Sequence, residues 1–281
     1  LRAQPLKIWL PSKFNFPLIG GNLMQQEWFC YAMSWSGAAY DLTIPFLLLW
    51  KKTRLLAFTV VVFFHVFTRI LFPIGMFPFI MIIATLIFFD ATFHEKIIGF
   101  IRRKIKNPLD KIKHIENYQY TSHLKKQVIT GIVAVLLVFQ VLFPWRYLAY
   151  PGELFWTEEG FRFSWRVMLM EKVGYANFKI VDRKTGAFFY VDNRMFLTSF
   201  QEKQMSFQPD FILEYAHYLG NHFKNKGHEN IAVYVESYVT LNGRLSAPYI
   251  NSKVNLYQEK ESFKHKKWIL PFTSDIKIYG L

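Results

Sequence analysis

The sequence predicts an α-helical polytopic membrane bundle followed by an extracytoplasmic, strand-rich α+β domain. Three observations carry that expectation. First, Leu55–Phe89 is apolar almost throughout, its only charged or ionisable groups being His65 and Arg69. That run exceeds the roughly 20 residues one helix needs to cross a hydrocarbon core about 30 Å thick. Second, the formal charge of +14 is unevenly spread: residues 1–150 hold 17 Lys/Arg against 6 Asp/Glu, and residues 151–281 hold 17 against 14. An excess lying between apolar segments sets membrane topology rather than marking a nucleic-acid surface. Third, the composition changes after Tyr150, where long apolar runs give way to short alternating segments divided by turn sequences.

The elements follow in order. Residues 1–26 carry Pro5, Pro11, Pro17 and Gly20-Gly21, and predict a short amphipathic piece over Pro5–Leu10 at the membrane interface, then a loop. Trp28–Trp50 has Trp at both ends, as interface anchors do. Asp41 lies inside it, either as a helix–helix hydrogen-bond partner or as the partner of His65 or Arg69. Pro73, Gly75 and Pro78 break the next run into helices over about 55–72 and 79–89. Lys51-Lys52-Thr53-Arg54 is basic, and nine Lys/Arg face three acids between Glu95 and Lys126. The positive-inside rule makes both blocks cytoplasmic, the second as a loop over 90–126. A fourth helix over 127–150 then runs outward, so residues 1–150 form a transmembrane domain and 151–281 an extracytoplasmic one.

In the second part, GFRFSWRVML (160–169) is aromatic enough to predict a strand. YANFKIVD (175–182) and AFFYVD (187–192) flank Arg183-Lys184-Thr185-Gly186 and predict a hairpin. Pro209–Phe223 places Phe211, Ile212, Tyr215, Leu219 and Phe223 at helical spacing. Ile231–Leu241 alternates before Asn242-Gly243, another hairpin turn. The single cysteine, Cys30, excludes an intrachain disulfide framework. His217 and His222 are five apart, on different helix faces, and no HExxH, P-loop, GxGxxG or GxSxG motif is present, so no metal is expected.

His65, near the middle of a membrane helix, is a functional-site candidate on cost alone. Its surroundings also carry a resemblance. FHVFTRILFPIGMFP resembles the His-containing transmembrane segment of the vitamin K-dependent γ-glutamyl carboxylase family, whose bacterial members carry the horizontally transferred transmembrane (HTTM) domain; IGMFP is its most specific piece. FRFSW (161–165) is similar to a Tyr-X-Tyr-Ser-Trp string of the family, and TSFQEKQMSFQ (198–208) to bacterial members. ESYVTLNGR (236–244) and WILPF (268–272) are similar as well and are assigned to domain packing.

The resemblance implies a carbon–carbon lyase that uses reduced vitamin K or menaquinol, with O₂ and CO₂ as co-substrates, to carboxylate glutamate in a protein or peptide. It implies an integral protein of the bacterial inner membrane, with the lipid bilayer as a partner and the C-terminal domain periplasmic. It implies that His65 is catalytic and that Thr68, Ile74, Gly75, Met76 and Phe77 line the quinol cavity; Thr68 stands where family members often carry Asn. Phe161, Arg162, Phe163, Ser164, Trp165, Arg166 and Lys203 are implied at the glutamate site, where arginine can hold a carboxylate bidentately. The lysine that initiates the family's reaction belongs to a segment upstream of the stretch matching Leu1–Leu10, so the chain is expected to be the C-terminal part of such a protein. Two other functions remain open: a quinol-binding or epoxidising membrane protein without carboxylase activity, and a non-catalytic membrane scaffold.

Overall fold

The computed structural model describes residues 3–13, 21–105, 122–164, 166, 168–228 and 230–272. The chain divides into two compact units, 1–126 and 127–281.

The first unit is helical. Short helices α1 (Leu6–Trp9) and α2 (Asn22–Gln25) precede α3 (Glu27–Leu49), α4 (Arg54–Leu71) and α5 (Phe77–Ala84), which tightens into a 3₁₀ turn over Thr85–Phe88. Ile44 and Leu48 of α3 meet Ala57 and Val61 of α4, with Tyr40, Phe58, Ile82 and Phe88 packed around them. Pro45 lies inside α3, where its missing N–H frees the carbonyl of Asp41 from the helical ladder. The α3–α4 corner is closed by Thr53 Oγ1 donating to Leu47 O at 2.7 Å and Arg54 Nε donating to Leu48 O at 3.0 Å. Between α4 and α5, Phe72 is extended, Gly75 takes φ +62° and Pro78 stands in the first turn of the new helix, which is how FPIGMFP reverses the chain.

The predicted helices at 28–50, 55–72 and 79–89 therefore form, to within a residue or two. Among the described residues, two helical stretches are both long and apolar enough to cross a membrane, Arg54–Leu71 and His123–Ala149. Helix α3 is long enough but diluted by Ser, Gly and Asp41, and Phe77–Phe88 is short. The expected loop over 90–126 is corrected in its first part: Ala91–Ile105 is a helix, α6. Apolar residues recur among its charges, and Phe93 stacks at 4.3 Å on Phe89, four residues earlier, a local pair that supports helix. The remainder, 106–121, lies outside the described residues.

Helix α7 (His123–Leu142) carries the chain across the boundary into the second unit; it starts four residues earlier than expected and runs into a 3₁₀ turn over Phe143–Ala149. A single turn, α8 (Leu154–Thr157), leads to a four-stranded antiparallel sheet of order β2-β1-β3-β4. Its strands are β1 (Lys172–Asp182), β2 (Phe188–Tyr190), β3 (Ile231–Leu241) and β4 (Ala247–Pro248). β1 and β3 pair along their whole lengths, from Lys172 opposite Leu241 to Asp182 opposite Ile231. The β1–β2 turn is held by Asp182 Oδ1, which accepts from the Lys184 N–H at 2.7 Å, and by Gly186 at φ +75°.

Helices α9 (Ser199–Met205) and α10 (Pro209–Asn225) lie between β2 and β3 in the chain. Thr198 and Gln201 form a reciprocal capping box on α9. The core joins Ala176, Phe178 and Ile180 of β1 and Val233, Val235 and Val239 of β3 to Ile212, Tyr215, Ala216 and Leu219 of α10. This is the alternation of a sheet with one buried face.

One expected strand is absent. Residues 160–164 form turns, with Phe163 at φ +64° and Met168 at φ +54°, values that L-residues in a strand do not adopt. Its side chains are drawn apart: Phe163 packs on Phe143, Phe161 on Phe155, and Arg162 reaches Asp210, 48 residues away.

Candidate functional site

His65 lies on α4 and is buried, 6% exposed. Its Nε2 is 3.4 Å from the Tyr40 hydroxyl on α3, the one hydrogen-bond partner the described residues give the ring. Phe64, Tyr40 and Phe77 surround it edge-on, at centroid distances of 5.4, 6.2 and 6.4 Å, and Tyr40 stacks on Phe64 at 3.9 Å. Tyr40 thus takes the part considered for Asp41. One residue turns a helix by about 100°, and Asp41 faces outward. Neither Asp41 nor Arg69 forms a hydrogen bond or ion pair among the described residues. The Thr68 hydroxyl donates to the Phe64 carbonyl of its own helix. Ile74 is half-buried, while Gly75, Met76 and Phe77 are exposed, with open space where a Cβ on Gly75 would stand.

The second unit holds a different kind of site. Lys172 opens β1, and Glu158 ends α8 in the left-handed conformation, at φ +55°. Their side chains meet at 2.7 Å, 1% and 4% exposed. Lys172 Nζ also donates to the Trp156 carbonyl at 3.1 Å and to the Tyr249 hydroxyl at 3.0 Å; that hydroxyl donates onward to the Trp156 carbonyl at 2.9 Å. Burial pushes the Lys172 ammonium below its ordinary pKa and the Glu158 carboxyl above its own, while each group's charge works against the shift of the other. Three acceptors occupy all three N–H bonds of Lys172, which is the geometry of an ammonium. Tyr249, fully enclosed, is raised well above its ordinary value, so it remains a phenol.

In front of this pair lies a cleft of about 170 Å³ whose lining includes Arg146, Glu158, Glu159, Arg162, Asp210 and Lys264. Arg162 is bidentate to Asp210, with both N···O distances at 3.0 Å, bonds Gln208, and stands 3.6 Å from Glu158 Oε2. Arg146 donates to the Arg162 carbonyl. Glu159 is 2.9 Å from His265 Nδ1 and accepts from the Lys266 N–H. The Lys264 ammonium has no partner among the described residues, and Glu158 Oε2 is buried with no hydrogen bond.

The predicted glutamate-site residues are only partly brought together. Arg162 lines this cleft, with Phe161 beside Phe155. Arg166 instead lines a second hollow of about 330 Å³, its guanidinium 4.4 Å from the Tyr147 ring. Phe163 is 50% exposed, and Ser164 bonds the Phe161 carbonyl. Lys203 is exposed on α9 and lines neither hollow. Trp165 lies outside the described residues. Glu158, Lys172, Tyr249 and Lys264 were missed; adjacent acids in the aromatic stretch WTEEGFRF were the available signal for the first. Among the described residues, no group of three His, Cys, Asp or Glu side chains could hold a metal ion.

Apolar helices carrying a buried histidine, ahead of a small antiparallel domain with a mixed-charge cleft, define a protein of two parts. Family models assign it further. The model described as vitamin K-dependent gamma-carboxylase, lumenal domain, matches residues 125–275, and the HTTM domain matches residues 1–93. The chain belongs to the vitamin K-dependent gamma-carboxylase family. No solved structure matches it.

Proposed function

We propose that this chain acts as a membrane-embedded, carbon–carbon lyase-class γ-glutamyl carboxylase on protein glutamate. Its transmembrane part is 1–150 and its extracytoplasmic part 151–281, with Lys51–Arg54 and the 90–126 segment on the cytoplasmic side of a bacterial inner membrane. The observation that carries the reading, beside the family, is a cleft whose lining includes Lys264, its ammonium without a partner among the described residues, and Glu158, which is paired with the buried Lys172. A free ammonium beside fixed dipoles suits a side-chain carboxylate.

The His65 surroundings fit a flat apolar ring bearing hydroxyls: three aromatic rings and a Tyr–His pair. His65, Ile74, Gly75, Met76 and Phe77 would hold reduced vitamin K or menaquinol; Thr68, its hydroxyl turned to its own helix, would contribute its methyl face. When bound, the quinol supplies, with O₂, the base strong enough to take a glutamyl γ-proton ahead of CO₂ addition. His65 Nε2 and the Tyr40 hydroxyl can hold or pass a proton at that ring, and the apolar walls exclude water that would quench the reaction. Arg162 and Lys264 orient the glutamyl side chain, while the Lys172 ammonium holds Glu158 in place.

A second reading, quinol binding without carboxylation, is favoured by one observation: of the cations implied at the glutamate site, only Arg162 lines the cleft, while Arg166 lines a second hollow and Lys203 neither. Full-length protein in lipid nanodiscs separates the two. Label from bicarbonate should enter a glutamyl peptide when reduced vitamin K and O₂ are supplied, and His65→Ala should abolish this and weaken quinol binding while membrane insertion is retained. Quinol binding with equal affinity for Glu and Gln peptides, and no label, would establish the second reading.

A further inference from the structure

Two loops of the second unit, distant in sequence, converge on the end of α7. Phe139 of α7 stacks on Phe143, one turn further along, at 4.5 Å. Phe163, from the 160–164 turns, packs on both rings at 6.2 and 5.7 Å, and Phe263 lies 6.5 Å from Phe143. Phe163 is 50% and Phe263 76% exposed, with Trp145 exposed beside them. Contiguous exposed apolar surface of this kind marks a contact with another phase or molecule. Both loops are also tied to the helix end through their backbones. Arg146 donates to the Arg162 carbonyl, and the Tyr150 hydroxyl donates to the Phe263 carbonyl at 2.8 Å. The Phe161 carbonyl accepts from the Ser164 N–H and hydroxyl.

The helix fixes what covers these rings. Its apolar run starts at Val128, and the roughly 20 residues needed for a crossing end near Tyr147. Trp145 and Arg146 stand at that level, and tryptophan and arginine are at home among headgroups. Phe143 and Phe139 lie roughly 5 and 10 Å further in, at about 1.5 Å per residue. Phe163 and Phe263, held against them, lie at the same depth. Carbonyls at that depth need partners from the protein, because lipid offers none, and three in these loops have them. We propose that loops 160–164 and 262–264 are inserted in the phospholipid bilayer, Phe163 and Phe263 entering it alongside α7 beneath Trp145 and Arg146. Arg146 and Phe263 also line the 170 Å³ cleft, so the insertion sets the rim of that cleft at the membrane surface.

This rests on the proposed crossing of α7, and one site reports that crossing by itself. Nitroxide labels are placed on full-length protein in phospholipid nanodiscs, in a Cys30→Ala background, through Phe163→Cys, Phe263→Cys, Val135→Cys and Thr185→Cys. Val135 is exposed on α7, and Thr185 is exposed in the turn after β1. Paramagnetic relaxation by O₂, which partitions into lipid, is compared with relaxation by a water-soluble nickel chelate. The O₂-to-nickel ratio should be several-fold higher at 163, 263 and 135 than at 185. A lipid-like ratio at 135 with water-like ratios at 163 and 263 would overturn the insertion and leave the crossing standing. A water-like ratio at 135 would overturn both. Little access for either reagent at 163 and 263 would place protein over the rings and overturn the insertion. The unaltered protein supplies a second measurement that no substitution affects. A phospholipid with a diazirine in its acyl chain should, on illumination, attach to α7 and to both loops, as read by mass spectrometry. Attachment to α7 with none to either loop would refute the proposal independently.

Discussion

Lys172→Met isolates what the buried ion pair does for the second unit. Methionine keeps an unbranched chain of similar length but removes the charge that compensates Glu158. The change deletes three hydrogen bonds, to Glu158, Tyr249 and the Trp156 carbonyl, and leaves Glu158 4% exposed. Breaking a buried pair by removing one partner costs about 3–5 kcal/mol. The lower end applies here, because Arg162 remains 3.6 Å from the other carboxylate oxygen. About 3 kcal/mol corresponds to a fall in Tm of roughly 6–12 °C for a unit of this size. Thermal denaturation of the full chain in detergent, with hydrogen-exchange protection of β1 and β3, measures it.

Two controls accompany it. In the double variant Lys172→Met/Glu158→Leu, a pair of similar-sized apolar residues should recover most of the loss. Acidification should also rescue the single variant. Burial raises Glu158 above its ordinary value of 4.5, so the folded variant binds this proton more tightly than the unfolded chain. Its stability therefore rises as pH falls through the raised pKa, and the gain is complete below 4.5. A single variant within about 1 kcal/mol of the native protein, or a double variant no better than the single, would refute the reasoning.

Three further outcomes are expected. Gly174→Ala would place a Cβ 2.4 Å from the Ser206 carbonyl oxygen, forcing α9 off β1 at a cost of about 1–3 kcal/mol, whereas Gly186→Ala meets open space and loses only the roughly 1–2 kcal/mol of its left-handed φ; chemical denaturation ranks the two. Asp182, held below its ordinary value of 3.8 by the Lys184 N–H, contributes stability present above 3.8 and lost as pH falls through the folded pKa, so the stability difference between native protein and Asp182→Ala should shrink in acid. A topology reporter fused after Tyr150 should be active only outside the cytoplasm and one near Lys104 only inside; exchanged activities would overturn the proposed orientation.

The helices around 28–50, 55–72, 79–89 and 127–150, the 183–186 and 242–243 turns, helix 209–223 and the strand after Ile231 were all legible in the sequence. Each is specified within its own window, by apolar period, run length or turn chemistry, and the family resemblance rests on equally contiguous strings. The sites were legible only in part. His65 stood out because an ionisable group in an apolar helix is costly, but its partner is Tyr40, 25 residues away and next to the acid that composition had suggested. FRFSW alternates like a strand, yet Arg162 bonds Asp210 across 48 residues and the segment turns instead. Lys172 sits 14 residues from Glu158 and 77 from Tyr249, and the three converge only because β1 pairs with β3 and the chain then returns Tyr249 beneath α8. Apolar periodicity is local, so the sequence by itself determined the elements. Compensation of buried charge is a property of what folding brings together, and that only the tertiary structure decided.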